Sequence, residues 1–106
     1  MEIEINAADD TERSDALDEH IRSKLGRVER VFGDRLTRME VFLKDVNAGK
    51  GGVDQSCTIE AHAAGLEAVA VEATDTDMYK AVGDAAGKLE KAIEHRIGRK
   101  SEARRG

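Results

Sequence analysis

Leu17, Ile21, Leu25, Val28 and Phe32 recur at helical spacing, and Gly33-Asp34 ends the run. Intervals of three and four residues line up side chains along one side of an α-helix, so this segment carries a single apolar stripe that must be covered. Ser14 stands where an N-cap is needed, after the turn-forming stretch that begins at Asp9. The segments on either side supply the cover. Glu2-Ile3-Glu4-Ile5-Asn6 alternates with a period of two, as a half-buried strand does. Leu36 to Asp45 alternates again, with Met39, Val41 and Leu43 on one face and Arg38, Glu40, Phe42 and Lys44 on the other.

Past the loop Asn47-Ala48-Gly49-Lys50-Gly51-Gly52, a third alternating segment places Cys57, Ile59 and Ala61 inward and Ser56, Thr58, Glu60 and His62 outward. Ala64-Gly65 reads as a tight turn, and Val69, Val71 and Ala73 make a fourth strand. Thr74-Asp75-Thr76 is positioned to cap a final helix buried through Met78, Val82, Ala85, Leu89 and Ile93. The order β-α-β-β-β-α predicts an α+β sandwich, an antiparallel-rich sheet with both helices on one face. With 106 residues the chain makes one domain, assigned to 1–99, and the basic segment 100–106 is expected to be a disordered tail. No apolar run approaches a membrane span, and the N-terminus lacks a basic-then-apolar leader. A cytoplasmic protein with no membrane partner is the expectation.

A net charge of −5 conceals blocks of opposite sign: −7 over residues 1–20, +4 over 21–44, −6 over 45–79 and +4 over 80–106. On a helical projection Arg13, His20, Lys24, Arg27 and Arg30 share one sector beside the apolar stripe of the first helix, with Asp15, Asp18, Glu19 and Glu29 on the far side. In the final helix Lys80, Lys88, Lys91, His95 and Arg99 gather together, interrupted by Asp84, while Glu90 and Glu94 turn away. Amphipathic helices carry solvating charge as a matter of course, and lysines near a C-terminus suit the helix dipole. Random solvating charges mix, however, whereas these two helices sort acids from bases in the same rotational sense. A polyanion is the partner that such sorting fits.

Phe32, Phe42 and Tyr79 are too few to stack single-stranded bases, so the fitting polyanion is folded RNA, contacted mainly at its phosphates. Gly26, Gly83, Gly87 and Gly98 project away from the apolar stripes, each costing about 1 kcal/mol relative to alanine. They read either as tolerated surface losses or as places where a phosphate backbone approaches. Catalytic chemistry has little support. Cys57 has the inward parity of a core thiol, and His20, His62 and His95 sit on separate elements without metal-ligand spacing. Gly49-Lys50-Gly51-Gly52 lacks the hydroxyl residue and upstream glycine of a phosphate loop. No enzyme, metal, cofactor or small-molecule substrate is expected.

Ser14-Asp15-Ala16-Leu17, Lys24-Leu25 with Val28-Glu29-Arg30-Val31-Phe32, and above all Asp77-Met78-Tyr79 followed by Lys88-Leu89-Glu90-Lys91 resemble the ribosome hibernation promoting factor family. That family includes the ribosome-associated inhibitor A proteins and was once labelled sigma-54 modulation protein. The resemblance runs from Ile3 to about Arg96 and is to the short form, without the C-terminal domain by which long members pair ribosomes. It implies a fold similar to a double-stranded-RNA-binding domain. It also implies binding to the small ribosomal subunit, where the protein would occlude the messenger and transfer RNA channel under stress. The positions it assigns to ribosomal RNA are Lys24, Arg27 and Arg30, then Lys88, Lys91 and His95; the basic stripe adds Lys80 and Arg99. Three positions depart from the family pattern: Ala7 replaces a glycine after the first strand, Gly87 an acid, and His95 a lysine. A monomer or weak homo-oligomer is expected. The competing reading is a protein-interaction module of the same fold that does not bind ribosomes, for which Phe42 on the outer sheet face is the best single feature.

Overall fold

The computed structural model describes residues 2–8, 11, 13–47 and 53–105, with backbone alone at 47, 53 and 97–105; most of the glycine-rich loop lies outside the described residues. The chain folds as β1 (Glu2–Ala7), α1 (Asp15–Phe32), β2 (Leu36–Asn47), β3 (Val53–Ala63), β4 (Val69–Asp75) and α2 (Met78–Arg105), with a short 3-10 turn at Gly33–Arg35. In the sheet the strands stand in chain order, β1-β2-β3-β4. β2, β3 and β4 form an antiparallel meander, while β1 pairs with β2 in parallel, Ile5 opposite Val41. Parallel neighbours need a crossover connection, and α1 is that crossover.

The core lies between one sheet face and the two helices. Ile5, Met39, Val41, Leu43, Cys57 and Ile59 from the strands meet Leu17, Ile21, Leu25 and Val28 of α1 and Val82, Ala85, Leu89 and Ile93 of α2. These are the alternating and helical positions that the sequence pattern marks as inward. Ser14 caps α1 as expected, its Oγ accepting from the Leu17 N–H at 3.1 Å. Gly33 closes α1 at φ +58°, a conformation that costs a side-chain-bearing residue dearly, and its N–H returns to the Glu29 carbonyl. Gly65, at φ +75°, makes the turn between β3 and β4.

Two local expectations are corrected. The cap of α2 is Asp77, not the triplet before it: Asp77 Oδ1 accepts from Tyr79 N–H at 2.9 Å, and the Asp77 carbonyl accepts from Ala81 N–H. Thr74 and Asp75 are still paired to β3, so they cannot also start the helix; Asp75 instead holds the Asp77 N–H through Oδ1 at 3.0 Å. Ser56, read as outward and solvated, keeps its outward parity but is only 1% exposed. A side chain that short on an interior strand is overtopped by its flanking register partners Lys44 and Thr74. Leu36 joins the buried face together with Met39 because the register shifts between Leu36 and Arg38. The backbone of α2 is helical from Met78 to Arg105.

Candidate nucleic-acid interface

The two helices run in the same direction. His20, early in α1, meets Tyr79, in the first turn of α2; further along, Arg27 Nε lies 3.9 Å from Glu90 Oε2. The topology requires this, since β2 and β4 are parallel to one another and each helix runs back against them.

Helix direction decides where the basic sectors go. Sorted in the same rotational sense on two parallel helices, they cannot face each other. The α1 sector, with His20, Lys24 and Arg27, looks toward α2 and meets that helix's acidic flank at Glu90. The α2 sector looks the other way: Lys88 Nζ donates to the Glu72 carbonyl of β4 at 2.9 Å. The helix layer therefore presents two separate cationic strips with a seam between them. Sequence reasoning has Glu90 turning away from the lysines of its own helix, as it does; that this brings it to Arg27 needed the parallel helix pairing.

Each expected contact residue can now be placed. Lys24, Arg30, Lys80, Lys91 and His95 are exposed and, among the described residues, have no side-chain hydrogen bond or ion pair. Arg27 is 71% exposed, so its long contact with Glu90 is worth only about a few tenths of a kcal/mol and leaves the guanidinium open to another anion. Lys88 is exposed but already holds a strand carbonyl. The side chain of Arg99 lies outside the described residues. Arg13 drops out of the strip altogether. Its Nε and Nη2 form a paired contact with Asp18 at 2.9 and 3.0 Å, and Nη1 donates to the Ile5 carbonyl at 2.9 Å. That hydrogen bonding raises the Arg13 pKa and holds the Asp18 carboxyl below its usual range.

On the helical projection Gly83 and Gly87 fall between Glu90 and Lys91, beside the seam. A methyl group added at Gly26, Gly83 or Gly87 would meet nothing within 4 Å. No packing inside the molecule calls for glycine at these three positions.

Among the described residues Cys57 and the Glu60–His62 pair stand apart from one another. Burial pushes the Cys57 thiol up to about 12, which leaves it protonated at neutral pH. Glu60 and His62 touch at 2.8 Å, but on the outer sheet face, opposite to Cys57. Among the described residues no group of three or more His, Cys, Asp or Glu side chains is arranged to hold a metal ion, and no helix is long and apolar enough to cross a membrane.

Comparison with known proteins agrees with this architecture. A ribosomal subunit interface protein from Coxiella burnetii superposes with a TM-score of 0.78 at 21% identity, covering 92% of this chain and 99% of that one. The N-terminal domain of Protein Y from Thermus thermophilus superposes with a TM-score of 0.73 at 28% identity, covering 90% and 98% respectively. No curated protein matches the sequence. Residues 3–101 match the Sigma 54 modulation protein / S30EA ribosomal protein family, and the chain belongs to that family.

Proposed function

We propose that this protein is a ribosome-associated hibernation factor that binds the small ribosomal subunit and blocks translation by filling the channel for messenger and transfer RNA. The reading rests on family membership across residues 3–101, and two exposed cationic strips on the helix layer are the physical means. Helices packed in contact lie roughly 8–10 Å apart, so strips carried on two of them can grip phosphates on both sides of a shallow seam. Lys24, Arg27 and Arg30 form the first strip. Lys88, Lys91 and His95 form the second, with Lys80 at its start, and Arg99 is proposed to extend it along the chain. Such contacts read the shape of folded RNA rather than its bases. The protein acts by occupying space, with no reaction and no cofactor, in the cytoplasm and as a monomer or weak homo-oligomer.

Co-sedimentation with purified small subunits at graded salt tests this. Binding should weaken steeply as salt rises, and Lys24→Glu combined with Lys91→Glu should abolish it while the fold survives. Added protein should also displace messenger RNA from the subunit. Failure to bind at low salt would overturn the reading, and binding without displacement would overturn the occlusion step.

A further inference from the structure

The helix layer is the basic side of the molecule; the opposite face of the sheet has a different character. Phe42 stands there in the middle of β2, 40% exposed. Its cross-strand partners are Asn6 and Thr58, and Glu40 and the exposed Lys44 lie two residues along the same strand on either side. One row toward the β2 start, Glu4, Glu40 and Glu60 stand directly opposite one another on three adjacent strands. Like charges so aligned repel. Arg38 serves two of them, at 2.7 Å from Glu4 and 2.6 Å from Glu40, and these carboxylates raise its pKa. Glu60 has His62 at 2.8 Å, and among the described residues the Glu72 carboxylate on β4 accepts the Thr58 hydroxyl alone. The carboxylates thus outnumber the cations that answer them.

Ser56, diagonal to Phe42 and almost wholly buried, has a hydroxyl with no hydrogen-bond partner among the described residues. Lys44 and Thr74 stand on either side of it and close this part of the face. The sheet edges offer a newcomer less. Arg13 takes the Ile5 carbonyl on β1, and Lys88 takes the Glu72 carbonyl on β4, so each edge strand has a basic side chain on its backbone. A partner is better received across the sheet than added to it.

We infer that the outer sheet face is a docking surface for a cationic protein segment, one that sets an apolar side chain on Phe42 and arginines or lysines over Glu4, Glu40, Glu60 and Glu72. Charge decides the class of occupant, because a nucleic acid laid on this face would bring phosphate against the carboxylate row. The surface is independent of the RNA-binding strips, which belong to the other side of the molecule.

Amide-resolved NMR titration of the intact chain at low salt tests the inference. The probes are a synthetic peptide of alternating arginine and glycine with a central leucine, and the same peptide with glycine in place of the leucine. Shifts should map to the outward residues of β1 to β4. The leucine peptide should bind about tenfold tighter, a difference that Phe42→Ala removes. Glu60→Lys should weaken both peptides alike, and circular dichroism should report both variants as folded. Equal affinity for the two peptides would overturn the inference, as would shifts confined to the helices or indifference to Phe42→Ala. So would a concentration-dependent dimer in light scattering that Phe42→Ala abolishes, since the occupant would then be a second copy of the chain.

Discussion

His20 on α1 and Tyr79 on α2 pack edge to face, with ring centroids 4.9 Å apart, while His20 Nε2 lies 3.1 Å from the Tyr79 carbonyl oxygen. A carbonyl can only accept, so the imidazole carries its proton on Nε2. This pair ties the first turn of α2 to α1, whose common direction the strand order already sets. A double-mutant cycle with His20→Ala and Tyr79→Ala, read by urea unfolding, should give a coupling of about 0.5–1.5 kcal/mol. Additive losses would mean that the two rings are neighbours without being partners.

The caps of the two helices should behave independently. Ser14→Ala and Asp77→Ala each remove a side-chain acceptor from a first-turn N–H and should each destabilise the protein by about 1 kcal/mol. Asp75→Ala should cost less, because its carboxylate serves the residue before the helix. Thermal or urea unfolding of the three variants checks the ranking.

Replacing helix-layer glycines should separate stability from binding. With open space at Gly26 and Gly87, alanine at either position should stabilise the protein by up to about 1 kcal/mol. If RNA lies along the seam, the same variants should bind small subunits more weakly. Unfolding and co-sedimentation measured on one preparation would reveal the opposing signs.

Cys57 makes alkaline stability measurable. Its thiol titrates near 9 when solvated and is pushed up to about 12 in the core. The folded state therefore holds this proton more tightly than the unfolded chain. The resulting stability is fully present below pH 9 and is lost as pH rises toward 12, at about 1.4 kcal/mol per pH unit within that window. Denaturation midpoints should fall more steeply above pH 9 in the wild type than in Cys57→Ala. At pH 8 the thiol should resist iodoacetamide until the protein is unfolded.

Much of this molecule is legible in its sequence because periodicity follows directly from backbone geometry. The α1 stripe from Leu17 to Val28, the inward sets Met39-Val41-Leu43 and Cys57-Ile59-Ala61, and the α2 face through Leu89 all lie where their spacing places them. What escaped depends on three-dimensional neighbours. Asp77 displaced the triplet Thr74-Asp75-Thr76 as the cap because β4 pairs two residues further than its apolar pattern extends. Ser56 is buried because of what stands beside it on β2 and β4, not because of its own polarity. The basic residues were visible singly, but a projection of one helix cannot say what its flank will face. Arg13 appeared equivalent to Lys24 until Asp18 and the Ile5 carbonyl claimed its guanidinium.

The parallel pairing of β1 also imposes an order on assembly. Ile5 finds Val41 across 36 residues of chain, whereas β2, β3 and β4 meet through successive local turns. Closing the longer loop is entropically costlier, so the meander can form without β1 but β1 has nothing to join without the meander. During synthesis β1 leaves the ribosome ahead of its one neighbour, so its hydrogen-bonding groups must stay unpaired until β2 has followed it out.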